Sequence, residues 1–490
     1  MKLTMRCSLQ SRFAAVLLFF AASTCSAADR LVDPTFFVQG QIANSYDPSS
    51  NEFDLPVTLS EPSPALLDMA FTVGHTNPYT LASVSKEEIT MYSIFTGYEH
   101  AYENYLPDGL DPTPRLINTI QNDHDSSVSS IALSDGGPTT FLASTGGDEI
   151  VRIRRNDFDA EPRNVLAQPI TVLVDSISIL GGVSAMAFEP NIKNTYPHKK
   201  LALGRPDGIV EVYQNKNYRD YPMTKAAQFS TNTDGLPVEK IAFDNSYSGS
   251  VFWMAVGYAL PEGKSGLKLY TKDDYLYVAP QTEHIFEAKI RDFVFSNDNS
   301  KLAILLSDGN ILVYGSRNYD AYNFDARIAK LQANATALAF HANGEILYAG
   351  TSTPARIKTY STSSWQEVGE SAAAQAEDPA LEFCDSIHKM IFRPVRSELV
   401  SNYGVTVLWE KEENVVHEIA LLTSKEDGTV PDLIAVFRVE SDPSAAPTAA
   451  PTDAAVTTAA PTASGAVLPQ STKREWTALA ALVFLGCYIV

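Results

Sequence analysis

Apolar positions along this chain recur in one phrase: apolar-x-x-apolar-Ala-Phe, then a turn, then an alternating apolar run that closes on an aromatic. Clear copies are Val183-Ser184-Ala185-Met186-Ala187-Phe188 with Ile209-Val210-Glu211-Val212-Tyr213, and Ile290-Arg291-Asp292-Phe293-Val294-Phe295 with Ile311-Leu312-Val313-Tyr314. The residue closing the first phrase falls at Phe71, Leu133, Phe188, Phe243, Phe295, Phe340 and Phe392. These positions lie roughly 45 to 62 residues apart, a period that suits one four-stranded blade of a propeller. The pattern predicts an all-β fold: a seven-bladed β-propeller of four-stranded antiparallel blades.

Period-two alternation places the inner strands at Leu66 to Phe71, Val128 to Leu133, Val183 to Phe188, Val238 to Phe243, Ile290 to Phe295, Ala335 to Phe340 and Ile387 to Phe392. Turns rich in Asn, Asp, Gly and Pro follow most of them, as in His341-Ala342-Asn343-Gly344. Gly147-Asp148, Asp207-Gly208 and Asp308-Gly309 supply the positive backbone angles that tight hairpins need before the third strands. Those third strands are expected to end at Tyr92, Ile153, Tyr213, Tyr270, Tyr314, Tyr360 and Trp409. Closing the ring requires a strand from one terminus in a blade built mostly from the other. Thr35 to Ile42, Val415 to Leu422 and Leu433 to Val439 all qualify, and the pattern does not choose among them.

The run from Ile290 to Tyr314, IRDFVFSNDNSKLAILLSDGNILVY, resembles a WD40-type repeat, and similar lines cover about residues 64 to 422. The resemblance implies a seven-bladed platform that is usually non-catalytic and binds protein partners. The chain departs from it in two ways. The Gly-His pair expected before each inner strand is missing, and only Trp409 keeps the usual Trp. The buried hydrogen-bond network of the family is therefore not expected in its usual form, and a divergent relative of the YVTN type fits as well.

Both ends of the chain read as processing signals. Lys2, Arg6 and Arg12 precede an apolar stretch from Phe13 to Ala22 and then Cys25-Ser26-Ala27, the order of a secretory signal peptide over residues 1–27. The propeller is expected over 28–440. An Ala, Pro, Thr and Ser run over 441–465 cannot build a core and reads as an extended, O-glycosylated stalk. In polyproline II geometry it would span roughly 70 Å. Over 466–490 a mostly polar spacer gives way to an apolar end. With the small residues Ser464 and Gly465 ahead of it, this tail resembles a glycosylphosphatidylinositol attachment signal, Ser464 being the first candidate for modification and Gly465 the next. The expected location is the outer face of the plasma membrane or the cell wall. Cys7, Cys25 and Cys487 leave with the signals, so the remaining chain keeps Cys384 alone and forms no internal disulfide. The sequon Asn334-Ala335-Thr336 marks Asn334 for N-glycosylation.

A formal net charge of −21, made more acidic by loss of the largely basic ends, argues against nucleic acid and anionic lipid as partners. Contact with membrane is expected only through the anchor. Candidate chemistry is confined to polar residues in the first half of the inner strands, near one mouth of the central channel: Asp68, Ser129, Ser130, Ser184, Glu239, Lys240, Arg291, Asp292, Thr336, His388 and Lys389. Two uses fit them, gripping a ligand at the mouth or pairing with one another between blades. The ligand candidates are Asp68, Glu239, Lys240, Arg291, Asp292, His388 and Lys389. Tyr-rich stretches after the third strands, such as Tyr213, Tyr218 and Tyr221, offer contact area for protein or sugar.

Enzyme signatures fail. Gly263-Lys264-Ser265 lacks a correctly spaced phosphate-loop glycine, no Gly-x-Ser-x-Gly elbow occurs, and the eight His form no His-x-x-x-His pair. No catalytic residue, metal site or cofactor is expected, and the partner expected is an extracellular protein or glycan. A propeller enzyme of lactonase or quinoprotein type, using Asp68, Glu239, Asp292 and His388, is the alternative, and a structural wall or coat component is another.

Overall fold

In the computed structural model the residues described are 29–39, 42–45, 66–71, 79–94, 115–134, 139–157, 170–190, 200–215, 222–232, 234–244, 253–273, 276–296, 300–315, 324, 326–341, 344–352, 355–370, 386–392, 401–402, 405–406, 417–424 and 433–441. The segments expected to be a signal peptide, a stalk and an anchor signal, with Ser464 and Gly465, lie outside them apart from Ser441, as do Cys384 and Trp409. Among the described residues no helix is long and apolar enough to cross a membrane.

The strands assemble into seven antiparallel blades. Blade one runs from an inner strand at Leu66–Phe71 through Tyr79–Ser85 and Glu88–Ile94 to an outer strand at Arg115–Gln121. Blade two spans Val128–Leu133, Thr139–Gly146, Ile150–Asp157 and Ile170–Ser178, and blade three spans Ala185–Phe188, Lys200–Gly204, Ile209–Gln214 and Thr224–Ser230. Blades four, five and six open with inner strands at Val238–Phe243, Ile290–Phe295 and Ala335–Phe340 and repeat the order. Hairpin chemistry works as the dipeptides require at Gly208 and Gly309, with φ of 79° and 78°. Blade two differs: Glu149 takes the positive φ, 57°, in place of Gly147.

Blade seven resolves the closure question. Its inner strand, Ser386–Phe392, pairs with His417–Ser424, which pairs with Leu433–Ser441, and the N-terminal strand Asp29–Gln39 completes the blade from outside. A further strand, Ile42–Ser45, extends the same sheet. The expectation that this blade's third strand ends at Trp409 is therefore corrected, because the segment pairing with the inner strand comes later in the chain. Between them in the chain, the described residues include a small ladder of Ser401–Asn402 with Val405–Thr406.

Apolar packing follows the same sevenfold plan. Among the described residues seven buried clusters occur, one at each blade interface. Between blades three and four, Ala202, Val210 and Val212 meet Val238, Ile241 and Met254. Between blades seven and one, Ala420, Leu422 and Ile434 meet Leu66, Met69, Leu81 and Tyr92, which closes the ring. Apolar residues at alternate positions of successive sheets thus face each other, as packed sheets require. The aromatics closing the third strands belong to these clusters: Tyr92, Tyr213, Tyr270, Tyr314 and Tyr360 are all buried. Of the tyrosines named as offering contact area, Tyr213 packs in the core, while Tyr218 and Tyr221 lie outside the described residues.

Candidate binding site at the channel mouth

One local irregularity places the polar residues. In six inner strands the register with the next strand skips the second residue or, in blade seven, the third: Leu67, Ser129, Glu239, Arg291, Thr336 and His388. Each is the extra residue of a β-bulge, a device that bends a strand and re-aims its side chains. Blade three agrees, with Ser184 donating its N–H to Gly204 O just ahead of its inner strand. The residue after the bulge is Asp68, Ser130, Ala185, Lys240, Asp292, Ala337 or Lys389, in blade order.

Most of these side chains link blades. Lys389 of blade seven donates to Asp68 Oδ1 of blade one at 2.6 Å and to Met69 O at 2.8 Å. The other Asp68 oxygen accepts from Ser130 Oγ of blade two at 3.1 Å and from the Ile131 N–H at 3.3 Å. Three blades are thereby joined through one carboxylate. Lys240 of blade four pairs with Asp292 of blade five, which also accepts from the Phe293 N–H at 2.7 Å. Hydroxyls at the bulge add a recurring latch onto the next inner strand. Ser184 Oγ donates to Val238 O at 2.6 Å, and Thr336 Oγ1 to Ile387 O at 2.5 Å. Blade four uses a relay, in which Ser265 Oγ donates to Glu239 Oε2 at 2.7 Å and accepts from the Ile290 N–H at 3.0 Å. Ser129 stays within its blade, bonded to Thr145 O at 3.1 Å.

The residues also meet across the ring. Burial, then the field of the Lys389 ammonium, pull the Lys240 pKa down, against the attraction of Asp68. Lys240 of blade four thus lies within electrostatic reach of blades seven and one. Burial and the Arg291 guanidinium likewise lower the His388 pKa, linking blades seven and five. His388 Nε2 lies 3.0 Å from the buried Ser424 Oγ. Arg291 is exposed and makes no ion pair or hydrogen bond with any described residue; partial desolvation of its guanidinium by the surrounding strands shifts its pKa downward.

Of the seven ligand candidates, four are therefore committed to inter-blade ion pairs: Asp68, Lys389, Lys240 and Asp292. Glu239 is held by Ser265. Arg291 and His388 are the two whose ionisable groups are not spent on joining blades. Among the described residues no three His, Cys, Asp or Glu are grouped to hold a metal ion. Of the three carboxylates in the enzyme alternative, Asp68 and Asp292 each face a lysine side chain and Glu239 accepts from Ser265.

A second polar cluster was not anticipated. Ahead of the blade-two inner strand, His124 Nδ1 lies 2.8 Å from Asp148 Oδ1 and Nε2 lies 3.0 Å from Ser144 Oγ. Arg154 donates to the same Ser144 Oγ at 2.9 Å and pairs with Asp123, while Arg152 pairs with Asp148 at 2.5 Å. A neutral imidazole protonated on Nδ1 satisfies the Asp148 and Ser144 contacts, with Arg152 Nη1 lying 2.5 Å from the same Nδ1. Burial lowers its pKa despite the Asp148 hydrogen bond. Burial acts to raise the Asp148 pKa, but the hydrogen bonds from His124 and Arg152 outweigh it and bring the value to about 2. The expectation that the missing Gly-His pair excludes such a network is corrected for this blade: Asp123, in place of Gly, precedes the histidine and supplies an anion for Arg154. The legible signal was a histidine four residues before an inner strand.

No family model matches the chain, and no curated protein matches it. Among solved structures, the β-propeller domain of Cps50 (Swd1) from Myceliophteria thermophila is similar at 12% identity and a TM-score of 0.47, over 77% of this chain and 97% of that one. The propeller assignment rests on this chain's own blade order, register and seven interface clusters.

Proposed function

We propose that this protein is a WD40-like, non-catalytic binding scaffold, secreted and held on the outer face of the cell by a glycosylphosphatidylinositol anchor, with an extracellular protein or glycan as partner. The observation that carries the reading is the use of the channel-mouth carboxylates. Asp68 and Asp292 are neutralised by lysines of adjoining blades, which suits a rigid platform better than acid–base or metal chemistry. The signal peptide, the stalk and the Ser464 or Gly465 attachment site support display away from the membrane.

Two experiments test it. Phosphatidylinositol-specific phospholipase C is expected to release the protein from intact cells, and substitution of Ser464 and Gly465 by bulky residues to prevent anchoring; retention after lipase treatment counts for a wall or coat component instead. The purified protein is then screened against surface-protein and glycan arrays. Saturable capture of one class supports the scaffold, and its failure across both defeats it. Asn334 is exposed in a turn, at φ 51°, and is proposed to carry an N-glycan. Loss of mass on glycosidase digestion, abolished in Asn334→Gln, is the expected result.

A further inference from the structure

The bulge positions of blades five, six, seven and one form an arc of neighbours: Arg291, Thr336, His388 and Leu67. Their inner strands lie side by side in that order around the ring. Elsewhere this position is spent on structure. Ser184 and Thr336 latch the next blade, Ser129 bonds within its own, and Glu239 is held by Ser265. Arg291 differs. It sits on the same rigid bulge, exposed, with no described partner for its guanidinium. On the far side of Thr336, His388 has Nε2 engaged by Ser424, which leaves Nδ1 as the ring atom without a described partner. Beside it Leu67 is 36% exposed, an apolar residue where other blades carry polar ones.

We propose that Arg291 and His388, with Leu67 adjoining, form a subsite for an oxyanion, a carboxylate or a phosphate, at the mouth of the channel. The inference deepens the scaffold reading and rests on it. The guanidinium presents a planar fork of donors that matches two oxygens of one group. An imidazole with Nε2 accepting from the Ser424 hydroxyl carries its proton on Nδ1 and adds a neutral donor. Among the described residues none of the acids at the mouth is ion-paired to Arg291: Asp68 and Asp292 are paired with Lys389 and Lys240, and Glu239, still charged, accepts from the Ser265 hydroxyl. In a chain of net charge −21, a cation left unpaired on a rigid strand marks a place where an anion is accepted. Leu67 gives the ligand's carbon skeleton a surface to lie against.

The test uses the full chain, purified after secretory expression, and ligand-observed NMR titration at low ionic strength, where charge pairing is least screened. The probes are glucuronate, N-acetylglutamate, inorganic phosphate and neutral glucose. Saturable binding of at least one anion and none of glucose is expected, and the order of the three identifies an acidic sugar, an acidic peptide or a phosphate as the source. Arg291→Gln is expected to weaken the preferred anion about tenfold or more, the range for losing a charged hydrogen-bond pair. Leu67→Glu, which adds an anion beside the site at an already exposed position, is expected to weaken it similarly while leaving the blade-joining pairs in place. If no anion saturates, or affinity is unchanged in both variants, the subsite is refuted. A captured surface partner in that case leaves the scaffold reading intact, so the two failures are separable.

Discussion

Asp68 is the residue on which the mouth depends most, since one carboxylate takes bonds from Lys389, Ser130 and the Ile131 N–H across three blades. Asp68→Ala leaves a partly buried ammonium without its counterion. It is expected to cost about 2–3 kcal/mol by chemical denaturation, and Asp68→Asn less, because the amide oxygen still accepts. Equal losses in the two variants would show that charge is not what matters. The His124 and Asp148 pair carries a pH prediction. The lowered His124 pKa means that the unfolded state binds this proton first as pH falls below the ordinary value of 6.5, so stability declines from there downward. Asp148, at about 2 against an ordinary 3.8, contributes stability that is present above 3.8 and lost as pH falls toward 2. Thermal melts are expected to fall from pH 7.5 to 5 and again below 4. The gap between wild type and Asp148→Asn should narrow across the lower range; parallel curves would remove Asp148 from the account.

Among the elements, the bulged inner strand is the unit that repeats. In blades four and seven the apolar residue just before the bulge packs against the second strand of the preceding blade, where a glycine makes room. A Cβ on Gly204 would collide with Val238 Cγ1, and one on Gly350 would lie 2.9 Å from Ile387 Cγ2. Neither glycine is needed for its backbone angles; each is needed for the close approach of two sheets. Gly204→Ala is expected to destabilise by about 1–3 kcal/mol through overpacking. Adding Val238→Ala removes the obstructing atoms, so the double variant should be less destabilised than the sum of the single ones. Strict additivity in urea melts would place the strain elsewhere.

For the whole molecule, stability depends on closure. Each interface cluster is completed by the next blade, and the last blade is completed by a strand from the opposite end of the chain. Deleting residues 29–45 removes the outer strand and exposes the edge of Leu433–Ser441, which is expected to lower the melting temperature and promote association through the unpaired edge. Register supplies the control. Asp29 lies opposite Ser441, so a permuted chain that continues from Ser441 through a short hairpin linker into residues 29–45 rebuilds the same ladder. Recovery of the melting temperature in that permutant is expected. A deletion that melts like the full chain would mean the terminal strand contributes nothing to closure.

The sequence by itself determined the number of blades and the place of nearly every inner strand, because apolar alternation and hairpin dipeptides are local signals that burial and turn geometry impose directly. It also picked out the polar positions near the start of the inner strands, which interrupt an otherwise apolar phrase. Only the tertiary structure decided which of those residues are occupied: Lys389 and Asp68 are joined by the ring although 320 or so positions separate them in the chain. Closure likewise escaped local reading, since Asp29–Gln39 and Leu433–Ser441 are equally good edge strands until their register is seen. So did the His124 network, whose partners lie on a loop, a strand and a hairpin. Alternation is written residue by residue, whereas pairing across blades is a property of the closed ring, and the difference between a spent Asp68 and an unspent Arg291 exists only there.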